Sequence, residues 1–181
     1  MFGFKNINMK NLICLLCVFS LTTIHAFNSI NKQVDKEIKS AFEIENYVTE
    51  LKIIDSELKS ELSSDFWNNN FYKIKNEQEL VGYAYIGEGF GKTDNFEYLL
   101  LFDVNLIIVK SKVLKYREDY GGEIGSKRWL KQFIGKSSKD KLLYGENIAA
   151  ISGATLSVKS MTNSVNKVLE SIAILQNKNI L

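Results

Sequence analysis

The sequence predicts an α+β fold: a single domain with an antiparallel sheet and packed helices, preceded by an N-terminal helical segment. Two observations support this prediction. Apolar residues near the C-terminus recur at three- and four-residue intervals, which is the pattern of one buried helical face. The middle of the chain contains β-branched and aromatic runs separated by short polar turns, which is typical of a meander of strands.

The first residues resemble a secretory signal peptide, which we assign to residues 1–26. Met9-Lys10 precedes an apolar stretch of about thirteen residues, Leu12 to Ile24, and Ala26 stands at a plausible cleavage site. A retained membrane anchor is the alternative, although a helix needs about 20 apolar residues to span a bilayer. We therefore expect an exported protein, either periplasmic or associated with the outer side of a membrane.

Removal of residues 1–26 changes the chemistry available to the chain. Cys14, Cys17 and His25 leave with the signal peptide, which excludes a Ser-His-Asp triad, a disulfide, a thiolate metal site and iron ligation by His or Cys. Redox chemistry would then need an organic cofactor. The net charge falls from +2 to 0 because Lys5 and Lys10 are lost, so there is no electrostatic basis for binding nucleic acid.

The N-terminal segment, residues 27–70, is predicted to be helical. An apolar stripe follows residues 31–62, with a break near Asn46. Strands are expected from Phe71 onwards, in the runs Phe71–Ile74, Leu80–Gly87, Phe96–Phe102 and Leu106–Tyr116. The glycines from Gly87 to Gly91 resemble a phosphate loop, but the segment lacks the Lys-Ser/Thr ending, and a flexible connection between strands is the favoured interpretation.

A glycine-rich segment, Gly121-Gly122-Glu123-Ile124-Gly125, follows the last strand and would let a backbone approach a ligand closely. The alternative is a loop that only turns the chain. Trp129 and Phe133 are four residues apart and are predicted to pack on one face of a short helix, with flavin stacking as a secondary role. Another short helix is predicted at Lys139–Leu143.

The sequence Ser152-Gly153-Ala154-Thr155 stands before the long C-terminal apolar stripe, so it is predicted to deliver a hydroxyl to a helix N-terminus. Unpaired N–H groups and the helix dipole favour a phosphate there. The alternative is that Ser152 or Thr155 simply caps the helix. The predicted buried stripe comprises Leu156, Val158, Met161, Val165, Val168, Leu169, Ile172 and Leu175.

These two motifs, together with Trp129 and Gln132-Phe133, resemble the FMN-binding domain family over roughly residues 80–175. Its best-known members are flavin-carrying subunits of the sodium-pumping NADH:quinone oxidoreductase and of a related ion-translocating ferredoxin-oxidising complex. The resemblance implies an FMN-binding domain at residues 71–181, with FMN joined through a phosphoester to Thr155 by a dedicated flavin transferase. It implies these cofactor-binding residues: Thr155, Ser152, Gly153, Ala154, Ser157, Gly121, Gly122, Glu123 and Gly125.

The chain departs from the family pattern at two places. Ala149 stands where the family usually has an acidic residue, and the nearest acid is Glu146; the glycine loop also lacks the usual Thr-Pro. We expect an electron carrier served by a membrane or periplasmic redox partner, with no catalytic residue and no metal site of its own. The alternatives are a reductase with non-covalent flavin and a flavin-free binding module. Neither the redox partner's identity nor the oligomeric state is predicted.

Overall fold

The computed structural model describes residues 32–66 and 68–181, so the predicted signal peptide at residues 1–26 lies outside the described residues. Five antiparallel strands form one sheet in the order β1-β2-β3-β4-β5. The strands are β1 (Val48–Leu51), β2 (Phe71–Asn76), β3 (Glu79–Phe90), β4 (Asn95–Phe102) and β5 (Ile108–Lys115). The helices are α1 (32–42), α2 (Lys127–Leu130) and α3 (Thr155–Asn177), with short 3-10 turns at Ser56–Ser60, Gly122–Gly125 and Lys131–Phe133. The predicted α+β fold is confirmed.

Helices cover both faces of the sheet, and β4 contributes to both layers. Side chains alternate between the faces of a strand. Leu99 and Leu101 of β4 pack with Ile38 of α1 on one face, whereas Tyr98 and Leu100 belong to the cluster that includes α3 on the other. This double burial explains why β4 reads as a continuous apolar run rather than as an alternating pattern.

The apolar stripe of α3 packs as predicted, with one exception. Its members from Val158 to Leu175 are all buried in the larger core. Leu156 is 56% exposed, so its assignment to the buried face was wrong. It lies only one residue after the helix begins at Thr155. Within residues 32–66 and 68–181, none of the helices has the length and apolar character needed to cross a bilayer.

The predicted continuation of the N-terminal helix through residues 48–62 was wrong, apart from the short 3-10 turn at Ser56–Ser60. After α1 ends at residue 42, Glu43 takes a left-handed backbone (φ 56°), and Val48–Leu51 form the edge strand β1. Val48 and Leu51 are exposed, so their apolar spacing does not mark a buried face. Pairing with β2, supported by the Lys75–Glu50 ion pair at 2.8 Å, overrides the local pattern.

Gly87 to Phe90 continue strand β3 instead of forming the expected flexible connection. The glycines are needed because aromatic rings of β4 cover them. A Cβ added to Gly89 would collide with the ring of Phe96, and one added to Gly87 would lie 2.5 Å from the Tyr98 ring. These glycines therefore make room for neighbouring rings and do not form a phosphate loop.

The short helix expected at Lys139–Leu143 is absent from this described part of the chain. Asn166 of α3 holds the non-helical segment through two hydrogen bonds with Leu142: the Leu142 N–H donates to Asn166 Oδ1 at 2.9 Å, and Asn166 Nδ2 donates to the Leu142 carbonyl at 2.8 Å. This long-range pairing satisfies backbone groups that a helix would have paired internally.

Candidate functional site

The threonine turn ends at the first residue of α3. Gly153 adopts a left-handed backbone (φ 78°), which a glycine accommodates without strain, and the Ala154 N–H donates to the Ile151 carbonyl at 3.2 Å. Ala154 is the N-cap residue and makes no side-chain capping bond, while Thr155 is already helical. The alternative in which Ser152 or Thr155 caps the helix is therefore wrong, and the Thr155 hydroxyl has no capping role.

The first turn of α3 offers backbone N–H groups that have no acceptor within the helix. The first i→i−4 bond of α3 runs from the Val158 N–H to the Ala154 carbonyl at 2.9 Å. The N–H groups of Thr155, Leu156 and Ser157 precede that bond and so have no carbonyl acceptor within the helix. Together with the positive end of the helix dipole, they form an environment that favours a phosphate.

The hydroxyls of the motif differ sharply in accessibility. Thr155 and Ser152 are exposed, whereas Ser157 is only 3% exposed. Ser157 Oγ lies 3.1 Å from Tyr116 Oη, and Tyr116 Oη donates to the Tyr120 carbonyl at 3.0 Å. Since the tyrosine proton is used in that bond, Ser157 is the donor to Tyr116. Thr155 can therefore be reached from outside, whereas Ser157 is held inside the fold.

A cavity of about 440 Å³ opens beside the threonine turn. This volume falls within the range of about 300–1,000 Å³ that is usual for small-molecule sites. The lining residues come from the β3–β4 turn, the segment after β5 and the start of α3: Lys92, Thr93, Tyr116, Glu118, Asp119, Tyr120, Gly153, Ala154, Thr155, Leu156 and Ser157.

The glycine-rich segment begins beside the threonine turn, at Gly121, which does not itself line the cavity. Gly121 has φ 78°, and a Cβ added to it would collide with the Cβ of Ala154. Gly121 is thus packed against the threonine turn, as predicted for this loop. Gly122 and Glu123 are exposed and do not line the cavity, and Gly125 lines a separate cavity with Lys127 and Lys131. Contacts of Gly122, Glu123 and Gly125 with a cofactor remain predictions.

Trp129 and Gln132 fix the backbone that leads into the threonine turn. Trp129 Nε1 donates to the Ala149 carbonyl at 2.8 Å, and the Ala149 N–H donates to Gln132 Oε1 at 2.7 Å. Trp129 also packs edge-on against Phe133, with ring centroids 5.2 Å apart, and both rings are buried. Their predicted core packing is confirmed, and neither ring lines the threonine cavity. The Ala149 residue itself is exposed.

Glu118 ties the β3–β4 turn to the segment after β5. Its carboxylate accepts from the Thr93 N–H at 2.7 Å, from Thr93 Oγ1 at 2.8 Å and from the Asp94 N–H at 3.0 Å. These bonds, with the backbone donors of Thr93 and Asp94 foremost, lower the pKa of Glu118 to about 2. Gly91 is required beside it, because a Cβ there would collide with Glu118 Oε1.

The sequence interpretation missed several residues that line the cavity, including Tyr116, Glu118 and Leu156. Tyr116 and Glu118 stand just before the glycine-rich segment, and this position was the only signal that could have indicated them. Their contacts with Ser157 and Thr93 join parts of the chain separated by 41 and 25 residues, so no local pattern encodes them.

Comparison with known families agrees with this geometry. Residues 91–170 match the family model of the FMN-binding domain. The matched segment contains β4, β5, the glycine-rich segment and the threonine turn. None of the curated proteins matches the chain. The match supports the FMN-binding family and an FMN-binding flavoprotein, and it indicates FMN as the cofactor.

The residues present fit this cofactor. The N–H groups at the start of α3 suit its phosphate, and the left-handed Gly153 brings backbone to the cavity without a Cβ in the way. The cavity is bounded by the exposed residues Tyr120 and Leu156, which offer apolar surface to a planar ring. Polar and apolar groups therefore border the same opening, as an amphipathic nucleotide requires.

Proposed function

We propose that this flavoprotein carries its FMN as a phosphoester on Thr155 Oγ. The observation that carries the proposal is the contrast between the two motif hydroxyls: Thr155 is exposed at the cavity, whereas Ser157 is 3% exposed and bonded to Tyr116. A transferase must bring the acceptor oxygen to its own active site, so an exposed hydroxyl on a small Ser-Gly-Ala turn is suited to modification.

The surrounding residues would hold the attached group by its phosphate. The N–H groups of Thr155, Leu156 and Ser157 are free of helical acceptors and supply donors to a phosphate at this position. Gly121 packs directly on Ala154 of the turn, and Tyr116 fixes the first turn of α3 through Ser157. FMN, when bound, supplies the redox chemistry, while these residues supply position and shielding.

Maturation would require a flavin transferase. The Ala149 backbone is held by Trp129 and Gln132, so the segment before the turn presents a fixed, exposed edge to such an enzyme. The family's usual acidic side chain is missing at this position, and Glu146, the nearest acid, is exposed in the turn before it. We expect slower or partial modification by a transferase that relies on that acid.

We further propose that the protein acts as an exported electron carrier, similar in role to the flavin-carrying subunits that its motifs resemble. The N-terminal charge and hydropathy pattern of residues 1–26 supports export. A membrane or periplasmic redox partner would exchange electrons with it. Covalent attachment suits such a location, because FMN lost outside the cytoplasm would be difficult to recapture.

Coexpression with a flavin transferase tests the proposal. Intact-protein mass should increase by the mass of FMN less one water, and the label should survive denaturation on the peptide that contains Thr155. Flavin released by denaturation, with turnover of a diffusible donor, would favour the non-covalent reductase. A colourless protein without added mass after coexpression with several transferases would favour the flavin-free binding module.

A further inference from the structure

A separate cavity of about 260 Å³ lies where α1, β5 and the short helical turns after β5 meet. Glu37 comes from α1, Lys110 and Lys112 come from β5, and Lys127 and Lys131 come from the helical turns. The cavity shares no lining residue with the one at Thr155. It is therefore a second candidate site, distinct from the threonine turn.

Basic side chains dominate this cavity. Four ammonium groups line it, whereas Glu37 supplies the one carboxylate among its described lining residues. Lys110 Nζ lies 2.9 Å from Glu37 Oε2, and Lys112 Nζ lies 4.0 Å from Glu37 Oε1. That single carboxylate is thus shared by the two lysines of β5. The cavity keeps an excess of positive charge, which attracts an anion and repels a cation.

Lys127 and Lys131 carry the part of this charge that is not balanced. Both are exposed, and within residues 32–66 and 68–181 neither forms a salt bridge with a carboxylate. They are four residues apart along consecutive helical turns, a spacing at which like charges are neighbours and repel each other. An anion bound between the two ammonium groups relieves this repulsion.

The same cavity offers apolar surface. Ile134 is 45% exposed and lines the cavity together with the buried Leu130. The buried Ser111 hydroxyl also lines it, but this hydroxyl already donates to the Leu130 carbonyl at 2.9 Å. The uncharged part of the lining therefore favours a ligand with a hydrocarbon body, which can bury apolar area there.

We propose that this cavity binds a small organic carboxylate, whose charge lies between Lys127 and Lys131 and whose hydrocarbon body packs on Ile134 and Leu130. The proposal does not depend on FMN, because no residue of the threonine turn lines the cavity. Protein made with and without a flavin transferase should bind the carboxylate alike. A failure of flavin attachment would therefore leave this result unaffected.

The experiment compares benzoate with acetate, which has the charge without the ring, and with benzyl alcohol, which has the ring without the charge. Each is titrated into isotope-labelled protein while the backbone resonances of Ser111, Gly125 and Ile134 are followed. Benzoate should give saturable shifts at all three residues, and the other two ligands should each bind at least about tenfold more weakly. Absence of saturable shifts with benzoate, or equal binding of benzoate and either comparison ligand, would overturn the proposal.

The start of α3 is the competing place for an anion, because its first N–H groups have no acceptor within the helix. The backbone resonance of Thr155 is therefore followed in the same titrations. The proposal predicts that the shifts at Gly125 and Ile134 saturate at the same benzoate concentration, whether or not Thr155 responds. Shifts confined to the residues around Thr155 would assign the benzoate to the helix N-terminus and contradict the proposal.

Lysine variants locate the charge. The double variant Lys127→Gln with Lys131→Gln should weaken benzoate binding at least about tenfold. The control is Arg128→Gln with Lys139→Gln, which removes the same charge from two nearby exposed residues that do not line the cavity. It should bind within about threefold of the protein of natural sequence. Benzoate binding that persists unchanged in the folded double lysine variant would show that the site is elsewhere.

Removal of the competing carboxylate should have the opposite effect. Glu37→Gln frees Lys110 and Lys112 from their shared partner, so benzoate should bind at least about threefold more tightly. Glu170→Gln removes the same charge from an exposed position on α3 that does not line the cavity, and it should leave binding unchanged. Unchanged or weaker binding in folded Glu37→Gln would be incompatible with an anion in this cavity.

Discussion

The buried hydroxyl of Ser157 donates to Tyr116 Oη over 3.1 Å, and this bond fastens the first turn of α3 to the segment that precedes the glycine-rich loop. Ser157 is thereby withdrawn from the surface, while Thr155, two residues earlier, remains exposed. The same bond also joins two walls of the threonine cavity. The Ser157–Tyr116 bond therefore holds the Ser157 hydroxyl inside the fold, while the Thr155 hydroxyl stays accessible.

We expect Tyr116→Phe to lower the free energy of unfolding by about 1–3 kcal/mol, because Ser157 Oγ is left buried without its partner. Urea unfolding monitored by circular dichroism measures the change. Tyr120→Phe is the control, since Tyr120 is 79% exposed and only its backbone carbonyl takes part. The double variant Tyr116→Phe with Ser157→Ala should recover part of the loss. A single Tyr116→Phe variant as stable as the unmodified protein would show that the bond contributes nothing.

Gly121→Ala should disturb the threonine turn. The substitution places a Cβ at a left-handed backbone position and against Ala154, and such strain costs about 1–3 kcal/mol. Flavin attachment during coexpression should fall together with stability. Gly122→Ala is the matched control because a Cβ there meets nothing within 4 Å. If both variants accept flavin and unfold like the protein without substitutions, the close packing of Gly121 on the turn is incorrect.

Glu118→Gln should reduce the loss of stability that the protein undergoes as the pH falls from 7 to 2. The pKa of Glu118 is lowered to about 2, so its ionised form stabilises the folded state fully above the unfolded pKa near 4.5, and this contribution is lost as the pH falls through 2. Melting temperatures of the two proteins should differ at pH 7 and converge near pH 2. Glu123→Gln, on an exposed residue of the following turn, is the control. A difference in melting temperature that does not change with pH would show that the Glu118 carboxylate is not its source.

The sequence predicted the parts of the fold that depend on local periodicity. The α3 stripe and the strand runs could be identified because burial repeats at the period of the element. The edge strand Val48–Leu51 could not, since its residues are exposed and its conformation is set by pairing with β2. Likewise, the segment around Leu142 is held in its non-helical form by hydrogen bonds to Asn166, which lies 24 residues away.

The candidate site was predictable only where one motif contained it. Gly153, Ala154 and Thr155 are adjacent in sequence and line the cavity together, as their turn requires. Gly125 is four residues from Gly121, yet the 3-10 turn between them carries it to a different cavity. Glu118 was not predicted because its partner Thr93 lies 25 residues earlier in the chain, in the β3–β4 turn.

Thr155→Val, compared with Ser157→Ala, tests the attachment of FMN most directly. Valine has nearly the shape of threonine but no hydroxyl, and the exposed position should tolerate it without loss of fold. After coexpression with a flavin transferase that labels the protein of natural sequence, peptide mapping should show no label in Thr155→Val. Ser157→Ala should retain the label on the Thr155 peptide. A denaturation-resistant FMN mass on Thr155→Val, or its loss in folded Ser157→Ala alone, would contradict the assignment of Thr155 as the acceptor.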